Sequence, residues 1–350
     1  MSLINAYAAL DAKAKLKQFH IERREVGAND ILIDIEYCGV CHSDIHTARN
    51  EWGQTQYPVV PGHEIAGKIA QVGNKVTKFK VGDSVGVGCM VGSCQNCPSC
   101  RDGLEQYCDV GFVGTYNGVE KGRQGYTYGG YSSKIVVDEK FVLKIPDNIP
   151  LDKAAPLLCA GITTFSPLNH WKVTKGSKVA VIGLGGLGHM AVKIAVAMGA
   201  EVSVVSSSNK KKEDAFKFGA KEYINSSEQN ALNEHLNKFD FILNTVSMNT
   251  DLGQYVALLK LDSTMVQVGA PEKPNSINVF PLIFRRRQLA GSLIGGIAET
   301  QEMLDFCSKH NVTPEIEIIE MNKINDAYER IIKGDVRYRF VIDIKSLNQD

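Results

Sequence analysis

The sequence predicts a protein of mixed α/β class, in which an all-β, barrel-like region is followed by a doubly wound parallel-sheet domain. Three observations carry this. Short strand-like runs separated by glycine turns fill residues 1–148. From Pro150 to about Ile294, β runs alternate with helical patterns, the signature of a parallel sheet covered by helices. The length of 350 residues suits two domains.

In the first region, Ile31-Leu32-Ile33-Asp34-Ile35-Glu36-Tyr37 reads as a strand, as do residues 66–72, 84–87 and 133–137. Gly73-Asn74 and Gly82-Asp83 punctuate them as turns. In the second, strands are expected at 178–182, 201–205, 239–245 and 265–268, with helices at 186–198 and 210–218. A helix over 299–310 and a last strand over 340–344 complete the chain.

Lys+Arg and Asp+Glu each total 39, so the net charge is zero. That excludes a general nucleic-acid or membrane-surface binder, which needs a basic excess. A small-molecule partner is expected instead. The most apolar stretch, residues 179–200, holds five glycines, His189 and Lys193, a poor membrane span. The start has no basic segment before its short apolar stretch, so no secretory signal is expected and the chain reads as cytoplasmic. In a reducing compartment its nine cysteines are metal ligands or buried apolar residues rather than disulfides.

Gly183-Leu184-Gly185-Gly186-Leu187-Gly188 is a G-x-G-x-x-G string. Alone it is a weak signal. Here it follows the apolar run Val179-Ala180-Val181-Ile182 and opens a helix with apolar residues at Met190, Ile194 and Met198. That context suits a dinucleotide: glycines let the backbone approach a pyrophosphate, and the helix start offers free N–H groups. The next strand runs into Ser206-Ser207-Ser208-Asn209-Lys210-Lys211-Lys212, with no acid before Glu213. An NAD site usually places a carboxylate here for the ribose 2′-hydroxyl. Hydroxyls and ammonium groups suit a 2′-phosphate, so NADP(H) is the expected cofactor. A serine helix cap beside a solvated lysine face is the plainer alternative.

Cys94, Cys97, Cys100 and Cys108 lie within fifteen residues. Two C-x-x-C steps turn several thiolates towards one point, which suits a closed tetrahedral zinc site with a structural role. An iron–sulfur cluster and a redox pair are the alternatives. A second concentration comprises Cys41-His42-Ser43-Asp44-Ile45-His46 and Gly62-His63-Glu64, with Cys159 far off in Leu158-Cys159-Ala160-Gly161. Two thiolates and an imidazole can hold a zinc ion with an open position, but spacing alone does not assemble this trio. An isolated Cys159 also reads as an ordinary buried thiol.

These strings in this order resemble the zinc-containing medium-chain dehydrogenase/reductase superfamily, and within it the cinnamyl alcohol dehydrogenase-like family of aldehyde reductases. The resemblance covers essentially the whole chain. It implies a GroES-like β-barrel catalytic domain over 1–148, completed by 295–350, and a Rossmann domain over 149–294. It implies two zinc ions per chain, NADP(H), an alcohol or aldehyde substrate, aromatic or medium-chain, and a homodimer. Cys41, His63 and Cys159 would hold the catalytic zinc, with Glu64 as an exchangeable ligand or near neighbour. Ser43 would bind the substrate oxygen and start a proton relay that His46 carries onward. Asp44 would orient His63. His42 and Arg339 would lie near the pyrophosphate and Thr163 near the nicotinamide, while Gly183, Gly185, Gly186, Leu187 and Gly188 would cradle the phosphates. Ser206, Ser207, Ser208 and Lys211 would hold the 2′-phosphate. One departure is Ile65, where the family usually has glycine after the glutamate.

Cys38, Cys89 and Cys307 have no evident metal partner and read as buried free thiols. Trp52 and Tyr57 are candidates for a substrate pocket or for core. Arg285-Arg286-Arg287 reads as a solvated face or a subunit contact. Two further readings remain open: a zinc polyol dehydrogenase using NAD, and a non-catalytic zinc- and nucleotide-binding sensor with Cys94–Cys108 as a thiol switch.

Overall fold

The computed structural model describes residues 2–119, 125–271 and 273–348. It divides into two compact units, one made of Met1–Cys159 with Gly295–Asp350 and the other of Ala160–Ile294.

The first unit opens with an antiparallel pair, β1 (Ser2–Ala8) and β2 (Lys17–Arg23). Strand β3 (Asp30–Gly39) is its backbone. Ile31, Ile33 and Ile35 alternate inward as a half-buried strand requires, while Asp34 faces out. Helix α1 (His42–Ala48) leads to β4 (Ile65–Val72), which pairs antiparallel with β3. Then come β5 (Ser84–Val87), β6 (Met90–Gly92), the single turn α2 (Pro98–Arg101), β7 (Val113–Gly114), β8 (Lys134–Asp138), β9 (Leu143–Lys144) and α3 (Leu151–Pro156). Strand β8 also pairs with β3.

In the second unit the chain runs α4 (Ile162–His170), β10 (Lys178–Ile182), α5 (Gly188–Ala197), β11 (Glu201–Ser206), α6 (Lys212–Lys217), β12 (Glu222–Asn225) and β13 (Phe239–Asn244). It continues through α7 (Gly253–Val256), β14 (Leu259–Gln267), α8 (Phe280–Ile283) and β15 (Gln288–Gly291). The six strands form one parallel sheet in the order β12-β11-β10-β13-β14-β15. Reversal of strand order beside β10 creates the crevice where doubly wound sheets bind ligands. The middle of the central strands β10 and β11 is mostly apolar, as burial on both faces demands: Val179, Ala180, Val181, Val202, Val204 and Val205 are all fully buried.

The chain then returns to the first unit as α9 (Ile297–His310), β16 (Ile316–Glu320), α10 (Ile324–Ile332) and β17 (Arg339–Asp343). Strand β17 pairs antiparallel with β3, giving the order β16-β17-β3-β4-β5-β9.

The structure shifts several sequence expectations. The units part at 159/160, not 148/149, because α3 packs on β3, β4 and β17 of the first unit. Helix α1 is an element beyond those expected from the sequence; it follows Cys41, and its first turn is closed by the Cys41 N–H donating to the Asp44 carboxylate at 2.8 Å. Ile65 finds room because Gly130 faces it: a Cβ there would sit 2.4 Å from Ile65 Cγ1. Within the arginine run, Arg286 pairs with Asp262, but Arg287 is buried and donates to the carbonyls of Leu259, Pro281 and Ala257. Its role is to satisfy chain ends, not to present a basic face.

Candidate active site and metal centres

The end of β3, the start of α1, the segment before β4 and the turn after α3 meet in the first unit. They bring together Cys41, His63, Glu64 and Cys159, all buried, with one ligand atom from each lying within 4.8 Å of the others. Cys41 Sγ is 3.8 Å from Cys159 Sγ, and His63 Nε2 is 3.3 Å from Cys159 Sγ. A tetrahedral zinc with Zn–S bonds of about 2.3 Å and a Zn–N bond of about 2.0 Å has edges of roughly 3.8 Å and 3.5 Å. The donor set therefore already has the spacing zinc needs.

The electrostatics agree. Burial opposes a charged His63, but the neighbouring Cys89 and Asp44 push its pKa well above the ordinary value. Cys41 is held well below the usual thiol range, chiefly by hydrogen bonding with Cys159 and also by Arg339 and His63, whereas Cys159 is pushed well above it by its thiol neighbours and burial.

Each donor is held from behind. Asp44 is fully buried; its Oδ1 lies 3.2 Å from His63 Nδ1 and accepts the Gly62 N–H at 3.1 Å. Its Oδ2 accepts from Cys41 N–H and from Tyr131 Oη at 3.2 Å. Gly62 can turn here because it has no Cβ: its φ is 103°, and a Cβ would lie 2.7 Å from the Tyr131 ring. Glu64 is ion-paired through Oε1 with Arg339, while its buried Oε2 has no hydrogen-bond partner among the described residues. An orphaned carboxylate oxygen at a cluster of metal donors fits a group that accepts metal. Arg339, expected at a pyrophosphate, pairs with Glu64 through one terminal nitrogen, and its buried Nε has no hydrogen-bond partner among the described residues.

Beside this cluster Ser43 Oγ lies 3.7 Å from Cys41 Sγ. His46, on the next turn of α1, is buried, with Nδ1 hydrogen-bonded to Glu51 Oε2. Its ring stacks on His42 at 5.2 Å and on Trp52 at 4.7 Å. Burial lowers the pKa of His42. Sequence reasoning missed Glu51, which lies beyond the end of α1 and shares no period with His46. It also missed Tyr131, eighty-seven positions from Asp44, and Tyr116, whose ring lies 5.6 Å from that of His63. Tyr57 donates its hydroxyl to the Ala48 carbonyl at 2.9 Å and so anchors the end of α1.

The four-cysteine lobe forms a second cluster, again with all ligand atoms within 4.8 Å of one another. Cys94 and Cys100 Sγ are 3.9 Å apart, close to a tetrahedral edge. The backbone N–H groups of Asn96 and Cys97 point at Cys94 Sγ, that of Cys94 at Cys108 Sγ, and those of Cys100 and Asp109 at Cys97 Sγ. These N–H groups lower the pKa of Cys94 and Cys108, while burial pushes Cys100 up to about 12. Donors aimed at sulfur stabilise thiolate. Among the described residues no fifth donor belongs to the cluster.

In the second unit the glycine string links β10 to α5. Gly183 has φ 87°, and a Cβ on Gly188 would lie 2.1 Å from the Gly183 carbonyl, so both positions require glycine. A Cβ on Gly185 would meet nothing within 4 Å, leaving the turn open to a ligand. Leu187 precedes α5, and Lys211 Nζ donates to the Leu184 carbonyl at 2.9 Å, which fixes the ammonium at the glycine turn. Ser206 ends β11, and no hydrogen bond engages the side-chain hydroxyls of Ser206, Ser207 and Ser208 among the described residues. Thr163 is buried on α4.

Residues 27–147 match the model of the alcohol dehydrogenase GroES-like domain, and residues 186–309 that of zinc-binding dehydrogenase. The chain is 59% identical over 349 residues to NADP-dependent alcohol dehydrogenase C 1 of Mycolicibacterium smegmatis, covering 99% of both chains. A cinnamyl alcohol dehydrogenase of Sorghum bicolor superposes with a TM-score of 0.96 at 44% identity, covering 98% of each chain. That of Helicobacter pylori, solved with NADP(H), gives 0.92 at 46% identity and the same coverage. On this likeness, and on two cysteine clusters with zinc spacing, the chain belongs to the zinc-binding alcohol dehydrogenase family.

Proposed function

We propose that the protein is an NADP(H)-dependent zinc alcohol dehydrogenase that interconverts aldehydes, aromatic or medium-chain, and their primary alcohols. The observation that carries this reading is the donor set of Cys41, His63 and Cys159, preformed at zinc spacing with Glu64 beside it. Three ligands leave zinc an open position for substrate, the mark of a catalytic site, whereas Cys94, Cys97, Cys100 and Cys108 close a structural one. When bound, zinc draws charge from a carbonyl oxygen and NADPH supplies the hydride.

The chain's own residues do the rest. Asp44 holds His63 in the tautomer that presents Nε2 to the metal. Ser43 hands a proton to the product oxygen during reduction and is replenished through His46. Glu51 fixes Nδ1 of that imidazole, leaving Nε2 to exchange protons. Glu64, restrained by Arg339, can approach the metal when substrate is absent. In the second unit, Gly183 to Gly188 receive the pyrophosphate at the start of α5, and Ser206, Ser207, Ser208 and Lys211 take the 2′-phosphate. The missing acid after β11 supports NADP(H) over NAD and disfavours the polyol dehydrogenase reading. Ser43 and His46 beside an open metal site favour an enzyme over a sensor.

His63→Ala should lose most turnover while still binding NADPH, because the nucleotide residues belong to the other unit. Unchanged turnover in a variant of verified metal content would refute the assignment.

The same reading takes the protein to act in the cytoplasm as a homodimer. Nine unpaired cysteines support the first, and no described helix is long and apolar enough to cross a membrane. Val279, Phe280, Ile283, Phe284 and Leu289 support the second: all are exposed, around the terminal strand β15.

A further inference from the structure

Trp52 is half-exposed at 49%, yet its indole is not idle. It stacks on the buried His46 ring with centroids 4.7 Å apart and planes inclined by 30°. His46 is held in two other ways, by Glu51 at Nδ1 and by the His42 ring at 5.2 Å. An imidazole tethered at Cβ and bonded only at Nδ1 can still pivot about Cβ–Cγ within the range that one hydrogen bond tolerates. A flat neighbour removes the pivot, and stacked aromatic pairs have an intrinsic preference for such offset geometry.

We propose that Trp52 is a positioning residue of the proton relay: its indole fixes the plane of His46 so that Nε2 keeps one orientation while Glu51 holds Nδ1. The proposal rests on the relay reading of Ser43 and His46. It differs from a pocket-wall role for Trp52, which would act on substrate directly. A residue that only shapes a pocket changes KM for the aldehyde; one that aligns the relay changes kcat and leaves binding alone. Alignment matters because small misplacements of a proton-transferring group cost rate steeply.

Trp52→Ala should lower kcat for aldehyde reduction by roughly five- to tenfold, with KM for aldehyde and for NADPH within about twofold of the wild type. Its zinc content should not change, and its melting temperature should fall only modestly, since about half of the indole is already exposed. Trp52→Phe should restore most of the rate. In a His46→Ala background, Trp52→Ala should have no further effect. The protein has two tryptophans, so Trp171→Phe leaves Trp52 as the sole tryptophan, read by excitation at the red edge where tyrosine does not absorb. In that background His46→Ala should raise its fluorescence, because an imidazole in contact quenches an indole.

Three results overturn the proposal: a Trp52→Ala effect confined to KM, an undiminished effect in the His46→Ala background, or fluorescence indifferent to His46. If His46→Ala is slow while Trp52→Ala is normal, only the Trp52 role falls. If His46→Ala itself turns over normally, the relay reading falls and takes this proposal with it.

Discussion

The carboxylate of Asp44 lies 3.2 Å from Nδ1 of His63, and both side chains are buried. The same carboxylate accepts the N–H of Cys41, so a single side chain orients two of the metal donors and closes the first turn of α1. Asp44→Asn keeps the shape but turns one acceptor into a donor that faces donors. It should weaken zinc binding at this site roughly ten- to a hundredfold, and cost on the order of 1–3 kcal/mol of stability. Competition with a chelator of known affinity checks the first, and denaturant unfolding the second. Zinc affinity equal to the wild type would show that Asp44 matters only to the helix.

The cysteine lobe should behave as an independent metal site. Cys97→Ser removes a sulfur towards which two backbone N–H groups point. Zinc should fall from about two equivalents per chain to about one, with a lower melting temperature. The lobe also touches the start of α9, where Glu105 accepts the Ile297 N–H at 3.1 Å, so its loss should loosen α9 in hydrogen exchange. Full zinc and full heat resistance would contradict a structural site.

Cofactor choice should follow the segment after β11. A lysine and hydroxyls on a phosphate contribute on the order of 1.5–3 kcal/mol per charge-assisted hydrogen bond before desolvation. The wild type should therefore prefer NADPH to NADH by about ten- to a hundredfold in kcat/KM. Ser206→Asp with Lys211→Ala should collapse or reverse that preference, mainly through the NADPH value, with zinc unchanged. Since Lys211 also bonds the Leu184 carbonyl, Ser206→Asp alone separates charge repulsion from any change in the glycine turn. A preference kept in the double variant would mean that the segment only caps a helix.

Much of this was legible in the sequence because its signals are local. The run Lys178–Ile182 followed by Gly183–Gly188 encodes strand, turn and helix within one window, and the structure forms them there. Cys94 to Cys108 likewise lie near one another along the chain. Cys159 was different: its neighbours Cys41 and His63 are 118 and 96 residues away, and only family resemblance paired them in advance. Glu51, Tyr131 and the Arg339–Glu64 pair had no local signal, since each depends on packing between distant segments. Helix α10 lies outside the expectation for the tail, a helix over 299–310 and a last strand over 340–344, although Ile324, Ala327 and Tyr328 fall on one buried face.

Hydride transfer at a zinc site is the centre of the account, and isotope transfer tests it most directly. The protein is given an aromatic aldehyde and NADPH carrying deuterium at both positions of nicotinamide C4, and the product alcohol is analysed by mass spectrometry. One deuterium is expected at C1 of the alcohol formed by the two-zinc protein, and this transfer should be lost in His63→Ala. Alcohol without deuterium, or equal deuterium transfer by His63→Ala, would contradict it.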